Sequence, residues 1–294
     1  RRAAPVGFTK GGREVVVGGG QHSHQLADRL GRARGRVPDF SRPDAFRQLE
    51  AELDACQPAD AECCDELIVD EGQDFEAGWA ANLLRFLRPD GRAWWLEDPM
   101  QNLYARPPVA LPGWVTLRSD TNYRTPQDIL GTLRRMLPLE HPVEAGSPLA
   151  GTELEILTYA TPAELFSTSV HALTRAIGLG FKRPHIALIS YRGREHSALS
   201  PLTRLGPYSL RAPTGHYDLL GNPILTEGDI LIDSVLRFKG RAAPCVILTE
   251  IDFDSLDDKA MRRLFVGATR ATMKLTLVVS EASAALLQAR LEQG

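Results

Sequence analysis

The chain has 294 residues, of which 43% are hydrophobic and 24% are charged, as in ordinary globular proteins. This length accommodates one large domain or two of average size. A formal net charge of −3 excludes a global basic field, so any contact with nucleic acid must be local. The four cysteines form no CxxC pattern, and there is neither a signal peptide nor a run of about eighteen apolar residues, which predicts a cytoplasmic protein.

The first regular pattern is a β-branched run, Val15–Val17, between glycines, which predicts a strand and a turn. A phosphate-binding Walker A loop needs GxxxxGK[ST], but Gln21 rather than lysine follows Gly18–Gly20. His22 and His24 lack a partner and are interpreted as surface residues, not metal ligands. Two short helices are expected next, over residues 25–36 and 44–56.

The segment Leu67–Phe75, LIVDEGQDF, joins a short apolar run to a group of carboxylates. The apolar run predicts a buried parallel strand, and ligands bind beyond the carboxyl ends of such strands. Asp70 and Glu71 would face opposite sides of the strand end. One could hold a hydrated Mg²⁺ while the other activates a water molecule. For this motif alone, an ordinary acidic turn remains the alternative.

The rest of the first half predicts a helix over 76–87, a turn at Pro89–Gly91, a buried strand over 93–97 and a third strand over 114–117. A helix is expected to start at Thr125–Pro126. Residues 141–151 are rich in Pro and Gly and lose periodicity. They predict a boundary between a domain of residues 1–140 and a domain of residues 141–294.

The second half alternates between strand and helix patterns. Strands are expected over 153–158, 185–190, 230–236, 245–250 and 274–280, helices over 162–177, 195–204, 259–269 and from 282, and a Gly/Pro-rich loop over 206–228. Such alternation predicts an α/β fold with parallel sheets and right-handed crossovers in both halves.

Five short motifs follow one another along the chain: DEGQD, EDPMQNLY, NYRTPQDI, SVLRFKG and LFVGATRA. In this order they resemble motifs II to VI of superfamily 1 DNA helicases, nearest in pattern to the UvrD/Rep/PcrA-type and RecD-like enzymes. The resemblance spans about residues 66–280. It implies two RecA-like lobes of the P-loop NTPase type with mainly parallel sheets, which clamp ATP between them while single-stranded DNA crosses their top.

The resemblance also implies roles in ATP hydrolysis. Asp70 would hold Mg²⁺ through water, and Glu71 would be the base that activates the hydrolytic water. The remaining ATP-site residues would be Gln101 as γ-phosphate sensor, Tyr123 stacked on the adenine, and the arginines Arg124 and Arg270, the latter from the second lobe. Planar guanidinium groups neutralise the charge that develops in phosphoryl transfer.

Nucleic-acid contacts are implied at three further positions. Tyr104 would couple the phosphate sensor to DNA, and Lys239 with Gly240 would form the motif V turn that contacts phosphate and the DNA backbone. Arg106 stands where relatives carry a base-stacking aromatic, and a guanidinium can also stack on a base or bind phosphate.

The sequence departs from the helicase pattern at Leu236 and Ala242, which replace the usual His and Glu of motif V, and at Glu97, which replaces a glycine. Taken singly, Arg124 could be a surface arginine, Tyr123 a packed turn residue, Arg270 the partner of an acid, and Lys239 a solvated side chain. The order of the motifs favours the joint functional interpretation.

The sequence therefore predicts the C-terminal part of an ATP-dependent DNA helicase or translocase, with ATP and Mg²⁺ as cofactors and single-stranded DNA as partner. No membrane contact and no obligatory oligomer are expected. Because Walker A is missing, the resemblance implies a truncated first lobe and a chain that alone hydrolyses ATP poorly. The region between Arg124 and Ser234 has no room for a large inserted subdomain.

Two other functions stay open. A non-catalytic, helicase-like module that binds nucleotide or DNA would keep the fold without turnover. A Walker A loop in the reading frame upstream of Arg1 would favour the motor. A metal-dependent nuclease would need more carboxylate ligands than DEGQD supplies.

Overall fold

The computed structural model describes residues 8–9, 12–18, 48, 51–52, 54–55, 57–137, 143–152, 154–217 and 223–293. His22, His24 and the helix expected over 25–36 lie outside these residues. The described residues of the stretch 44–56 are helical. The chain forms two compact units, Arg1–Val115 and Thr116–Gly294.

The first unit contains a four-stranded sheet in the order β1-β2-β3-β4. Its strands are β1 (Phe8–Thr9), β2 (Gly12–Gly18), β3 (Cys64–Asp70) and β4 (Leu87–Trp95). β2, β3 and β4 pair in parallel, and β1 pairs with β2 in antiparallel fashion. Among the described residues, this unit also contains helix α1 (Ala77–Leu84) and two 3₁₀ turns, Gly72–Asp74 and Pro99–Gln101. The strands predicted at Val15–Val17 and in LIVDEGQDF are confirmed.

The acidic turn after β3 is positioned by the end of β4. Leu96 N donates to Val69 O at 2.8 Å, and Gly72 N donates to Leu96 O at 2.8 Å. A Cβ on Gly72 would lie 2.2 Å from Trp95 Nε1, so only glycine fits between the turn and the indole ring. The core beneath consists of Cys64, Leu67, Val69, Phe75 and Leu83.

Three predicted elements of the first unit differ in detail from the structure. The helix predicted over 76–87 is present but ends at Leu84, because Leu87 already starts β4. The turn expected at Pro89–Gly91 lies within β4, in a bulge where the six residues Leu87–Arg92 oppose the three residues Cys64–Glu66 of β3. The strand over 93–97 is only half-buried, with Trp94 47% exposed, because β4 lies at the edge of the described sheet.

The segment 114–117 is not a strand. Val115 and Leu117 are more than four-fifths exposed, and a short strand, β5 (Thr121–Asn122), follows later. The apolar residues of segment 114–117 have high strand propensity, but the segment pairs with no neighbouring strand in the described part of the chain.

The second unit contains a seven-stranded sheet in the order β7-β15-β14-β8-β13-β10-β9. All neighbours are parallel except β9 and β10. The strands of this unit after β5 are β6 (Glu144–Ala145), β7 (Glu155–Tyr159), β8 (Ile186–Ser190), β9 (Arg204–Leu205), β10 (Tyr208–Arg211), β11 (Pro213–Tyr217), β12 (Pro223–Leu225), β13 (Ile230–Ser234), β14 (Ala243–Ile251) and β15 (Ala271–Ser280). Its helices are α2 (Gln127–Met136), α3 (Pro162–Gly178), α4 (Val235–Phe238), α5 (Asp258–Ala268) and α6 (Glu281–Gln293), with a 3₁₀ turn at Arg183–His185.

The central strands β8 and β13 are buried along their whole length, as expected for a parallel sheet covered on both faces. Helix α2 buries Ile129, Leu130, Leu133 and Met136 completely and packs against α6. Helix α2 therefore belongs to the second unit, so the compact units divide at Val115, earlier than the lobe boundary expected at 140/141.

Two predictions for the second unit were wrong. Residues 195–204 form turns rather than a helix, because the Ser197 hydroxyl accepts hydrogen bonds from Leu199 N and Ser200 N. The expected loop over 206–228 contains strands β10, β11 and β12. The mixed α/β architecture with a large, mostly parallel sheet is confirmed. Within the described residues, no helix combines the length and apolar content needed to cross a membrane.

Candidate functional site

The carboxyl end of β3 presents the two predicted acidic residues. Asp70 is exposed, and its Oδ1 accepts a hydrogen bond from Glu71 N at 3.0 Å. Glu71 adopts a left-handed conformation (φ 56°), which turns the chain sharply into the 3₁₀ turn. In the described part of the chain no group of three or more metal-ligating side chains occurs. Mg²⁺ commonly takes one or two carboxylates and fills its shell with water and phosphate oxygens, so the exposed Asp70 carboxylate fits that donor set.

A chain of hydrogen bonds connects Glu71 to Gln101. Gln73 Nε2 donates to Glu71 Oε2 at 2.7 Å, and Gln73 Oε1 accepts from Asp98 N at 2.9 Å. Asp98 Oδ2 in turn accepts from Gln101 Nε2 at 2.7 Å. The structure thus brings two predicted site residues together through Gln73 and Asp98. The sequence did not predict that Gln73 and Asp98 link these two residues. Their hydrogen bonds join segments that are distant in the sequence and become neighbours only because β3 pairs with β4.

Gln101 has one unsatisfied atom. Its Oε1 is buried and makes no hydrogen bond within the described residues, whereas its amide nitrogen is engaged with Asp98. A carbonyl oxygen accepts hydrogen bonds, so Oε1 can bind a water molecule, and the amide nitrogen has a second N–H besides the one that Asp98 accepts.

Tyr104 and Arg106 lie next to each other beyond the 3₁₀ turn at Pro99–Gln101. The Arg106 guanidinium lies 5.6 Å from the Tyr104 ring centroid and 4.7 Å from that of Trp79. It also contacts the Asp74 carbonyl and lies 3.5 Å from Glu76 Oε1. Burial, and then the Asp74 charge, raise the pKa of Tyr104. Arg106 therefore supports the half-exposed Tyr104 ring, and both remain predicted nucleic-acid contacts.

In the second unit, Asn122 shapes the turn that carries Tyr123 and Arg124. Its Oδ1 accepts hydrogen bonds from Arg124 N and Thr125 N, both at 2.9 Å. Tyr123 is 72% exposed, and its ring lies against Gly146, where a Cβ would come within 2.7 Å of the ring. Arg124 is exposed, and among the described residues its guanidinium makes no hydrogen bond or ion pair. Both side chains are free to meet a ligand.

Arg270 has a different environment. It is 3% exposed, and its Nε donates to the Val266 carbonyl at 3.0 Å near the C-terminus of α5. Its Nη2 donates to Thr269 Oγ1 at 3.4 Å. In this arrangement Arg270 satisfies the end of a helix, and contact with a phosphate would require its side chain to be released. Its role as an arginine finger stays a prediction.

The motif V turn follows β13 and the short helix α4. Lys239 is half-buried, and Gly240 has a φ of 74°, which glycine adopts without strain. Two arginines flank this turn and share a buried carboxylate: Arg241 lies 3.4 Å and Arg237 3.9 Å from Asp233. Burial raises the pKa of Asp233 and lowers that of Arg241, so desolvation outweighs the attraction between them.

A crevice that the sequence analysis did not predict lies at the carboxyl edge of the seven-stranded sheet. After β8 the chain continues to β9, β10 and β13 on one side of the sheet, whereas after β14 it continues to β15 on the other side, so the strand order switches between β8 and β14. Ligands bind at such switch points in open α/β sheets. The open crevice measures about 350 Å³ and is lined by Tyr191, Arg192, His196, Asp252 and Arg263.

The crevice is predominantly basic. Arg263 stacks on Tyr191 at 5.4 Å from the ring centroid, and its Nη1 donates to the Tyr191 carbonyl at 3.4 Å. Arg192 lies 3.9 Å from the Asp252 carboxylate. Burial raises the pKa of Tyr191 to about 12, so its hydroxyl stays neutral. In the sequence, the Tyr191–Arg192 pair directly after a buried strand could have indicated this crevice. We instead expected a helix over 195–204, which includes the lining residue His196.

Residues 229–278 match the family model described as the UvrD-like helicase C-terminal domain. The match includes β13, the motif V turn and Arg270. Among curated proteins, none is significantly similar to this chain. A solved structure, the C-terminal domain of a possible DNA helicase from Lactobacillus plantarum WCFS1, shares 18% identity with a TM-score of 0.42, covering 58% of this chain and 94% of that one.

Proposed function

We propose that this chain is part of an ATP-dependent DNA helicase or translocase that couples ATP hydrolysis to movement along single-stranded DNA. The observation that carries the proposal is the UvrD-like helicase match over residues 229–278, which coincides with β13, the Lys239–Gly240 turn and Arg270. The DEGQD, EDPMQNLY and NYRTPQDI motifs lie in the expected order before it.

In this proposal the carboxyl end of β3 serves ATP hydrolysis. Asp70 would hold Mg²⁺, which polarises the phosphate oxygens when bound. Glu71 accepts a proton from the attacking water, and Gln73 fixes one of its carboxylate oxygens. Gln101, whose amide nitrogen donates to Asp98, would sense the γ-phosphate. Tyr123 and Arg124 supply an exposed ring and an exposed guanidinium for the nucleotide, and Arg270 would act as the second arginine.

We assign single-stranded DNA to the basic crevice at the β8–β14 switch point and to the Lys239–Gly240 turn. Arg192 and Arg263 bind phosphate oxygens, because a guanidinium donates two hydrogen bonds in the geometry of a phosphate. Tyr104, supported by Arg106, offers a ring on which a base stacks. The protein as a whole is slightly acidic, so these local contacts carry the affinity.

DNA binding is tested with the 294-residue chain and a fluorescein-labelled oligo-dT, by fluorescence anisotropy over a range of salt concentrations. Arg192→Ala and Arg263→Ala should each weaken binding and reduce the salt slope by about 0.7 per lost phosphate contact. Arg183→Ala is the matched control, since Arg183 pairs with Asp229 at the opposite edge of the sheet. Absence of salt-dependent binding by the unaltered chain would refute a DNA-binding role.

ATP hydrolysis is tested in the complete encoded protein. DNA-stimulated phosphate release should be abolished by Glu71→Gln and lowered by Arg124→Ala and by Arg270→Ala. If neither arginine change lowers turnover, the assignment of two arginine fingers is wrong.

A second candidate function is a non-catalytic helicase-like module that binds nucleotide or DNA. The buried guanidinium of Arg270 favours it, because Arg270 donates to the Val266 carbonyl and its side chain must be released before it can bind a phosphate. DNA binding without any DNA-stimulated ATPase activity in the complete protein would support this alternative.

A further inference from the structure

Glu250, the penultimate residue of β14, has an unusual backbone conformation. Its φ of 59° lies in the left-handed region, where glycine is the default residue, and its side chain is 1% exposed. The strand carries one extra residue at this point, since Leu248–Ile251 faces Leu277–Val279 of β15. A buried carboxylate on a strained backbone persists only where its contacts hold it there.

Those contacts all go to the loop that follows β8. Glu250 Oε2 accepts a hydrogen bond from Ser197 Oγ at 2.5 Å, and Oε1 accepts one from Ala198 N at 2.7 Å. Ser197 Oγ in turn accepts from Leu199 N at 3.2 Å and Ser200 N at 2.9 Å. A glycine would adopt this backbone conformation without strain, but it would lose both hydrogen bonds to the loop. The glutamate therefore holds the loop in place.

The same loop carries the basic crevice. It begins at Tyr191, whose N–H donates to the carbonyl of Thr249 at 2.9 Å, directly before Glu250. Between this anchor and the Glu250–Ser197 bond lie Arg192 and His196, two of the residues that line the crevice. The segment 191–197 is thus hydrogen-bonded at both of its ends to the consecutive residues Thr249 and Glu250, at the bulge of β14.

We propose that Glu250 is a positioning residue for the DNA-binding crevice, which holds Arg192 and His196 towards the phosphates of single-stranded DNA. The inference rests on the proposed function, because it assigns the crevice to DNA. Glu250 itself does not touch the ligand. It restricts the conformations of the free loop, so the loop loses less conformational entropy when phosphate binds.

The test compares Glu250→Gly, Glu250→Gln and Ser197→Ala in the 294-residue chain, by oligo-dT anisotropy at several salt concentrations and by thermal unfolding. Glu250→Gly removes the strain and the carboxylate together. We expect it to unfold within a few degrees of the unaltered chain, but to bind DNA roughly fivefold to tenfold more weakly, with a smaller salt slope. Glu250→Gln keeps an acceptor for Ala198 N and should bind within about twofold of the unaltered chain.

Ser197→Ala leaves Glu250 in place and cuts its side-chain link to the loop, so it should weaken binding in the same direction. If Glu250→Gly fails to fold, the DNA affinity of Ser197→Ala still tests the positioning role. Unchanged affinity and salt slope in a folded Glu250→Gly or Ser197→Ala variant would overturn the positioning role. No binding by the unaltered chain would instead refute the DNA assignment on which it rests.

Discussion

Thr125 Oγ1 donates a hydrogen bond to the carbonyl of Thr269 at 3.3 Å, and both residues are buried. Thr125 directly follows the Tyr123–Arg124 pair, and Thr269 directly precedes Arg270. The bond therefore joins two segments of the predicted ATP site that lie far apart in the sequence. It connects them within one compact unit, whereas the sequence assigned them to different domains.

Replacement of Thr125 by Val, which has nearly the same shape, should destabilise the second unit by about 1–2 kcal/mol. The Thr269 carbonyl would lose its donor in a site that water does not reach. Thr125→Ser keeps the hydroxyl and is the matched control. The free energy of unfolding in urea measures the difference, and equal stability of the Val and Ser variants would contradict it.

Gly72 is required by the close approach of Trp95. Gly72→Ala places a methyl group 2.2 Å from Trp95 Nε1, which forces the indole or the acidic turn to move. We expect a loss of about 1–3 kcal/mol in stability, measured by denaturant unfolding with tryptophan fluorescence. Gly78→Ala is the control: it lies within α1 with open space around it, and should stabilise by about 0.5–1 kcal/mol. Similar effects from both changes would exclude the steric explanation.

The sequence predicted the elements whose pattern is local. Apolar runs such as Leu67–Val69 and Ile186–Ser190 became buried strands, because burial on both faces of a parallel sheet demands continuous hydrophobicity. Helix α3 was found within a residue of its expected end, because Thr161 caps it and Pro162 starts it.

Features that depend on distant partners were missed. The turn residues Pro89–Gly91 form a bulge only because β4 pairs with β3, and residues 195–204 avoid a helix where Ser197 binds Glu250 instead. The left-handed conformation of Glu250 has no sequence signature at all, since its cost is offset by bonds to a loop fifty residues earlier. The basic crevice was also not predicted, because its lining residues come from segments that lie far apart in the sequence.

Asp252 should weaken DNA binding at the crevice. Its carboxylate lies 3.9 Å from Arg192 and competes with phosphate for the guanidinium. We expect Asp252→Asn to bind oligo-dT roughly twofold to fivefold more tightly at low salt, and the gain to shrink as salt screens the charges. Asp229→Asn, which breaks the pair with Arg183 at the other edge of the sheet, is the control and should leave affinity unchanged. Weaker binding by Asp252→Asn would mean that Asp252 orients Arg192 rather than competing for it.

The buried Asp233 makes a prediction about pH. Burial is the largest influence on its pKa and raises it above 3.8, against the opposing effects of Ser234 N–H and of Arg241, Arg237 and Arg194. As the pH rises through 3.8, the unfolded chain releases this proton before the folded protein does. The folded state then binds more protons, so its stability falls until the pH passes the raised pKa.

The stability of the unaltered chain should therefore decrease relative to Asp233→Asn as the pH rises from about 3.8 through that window, measured by urea unfolding at a series of pH values. The exposed Asp229 provides a control of opposite sign, because its hydrogen bond with Arg183 lowers its pKa. Relative to Asp229→Asn, the unaltered chain should gain stability as the pH rises towards 3.8. If both comparisons had the same slope, the ion pairs of Asp233 with Arg237 and Arg241 would outweigh its desolvation. The motif V turn would then be held by attraction between charges, and not by the packing that buries them.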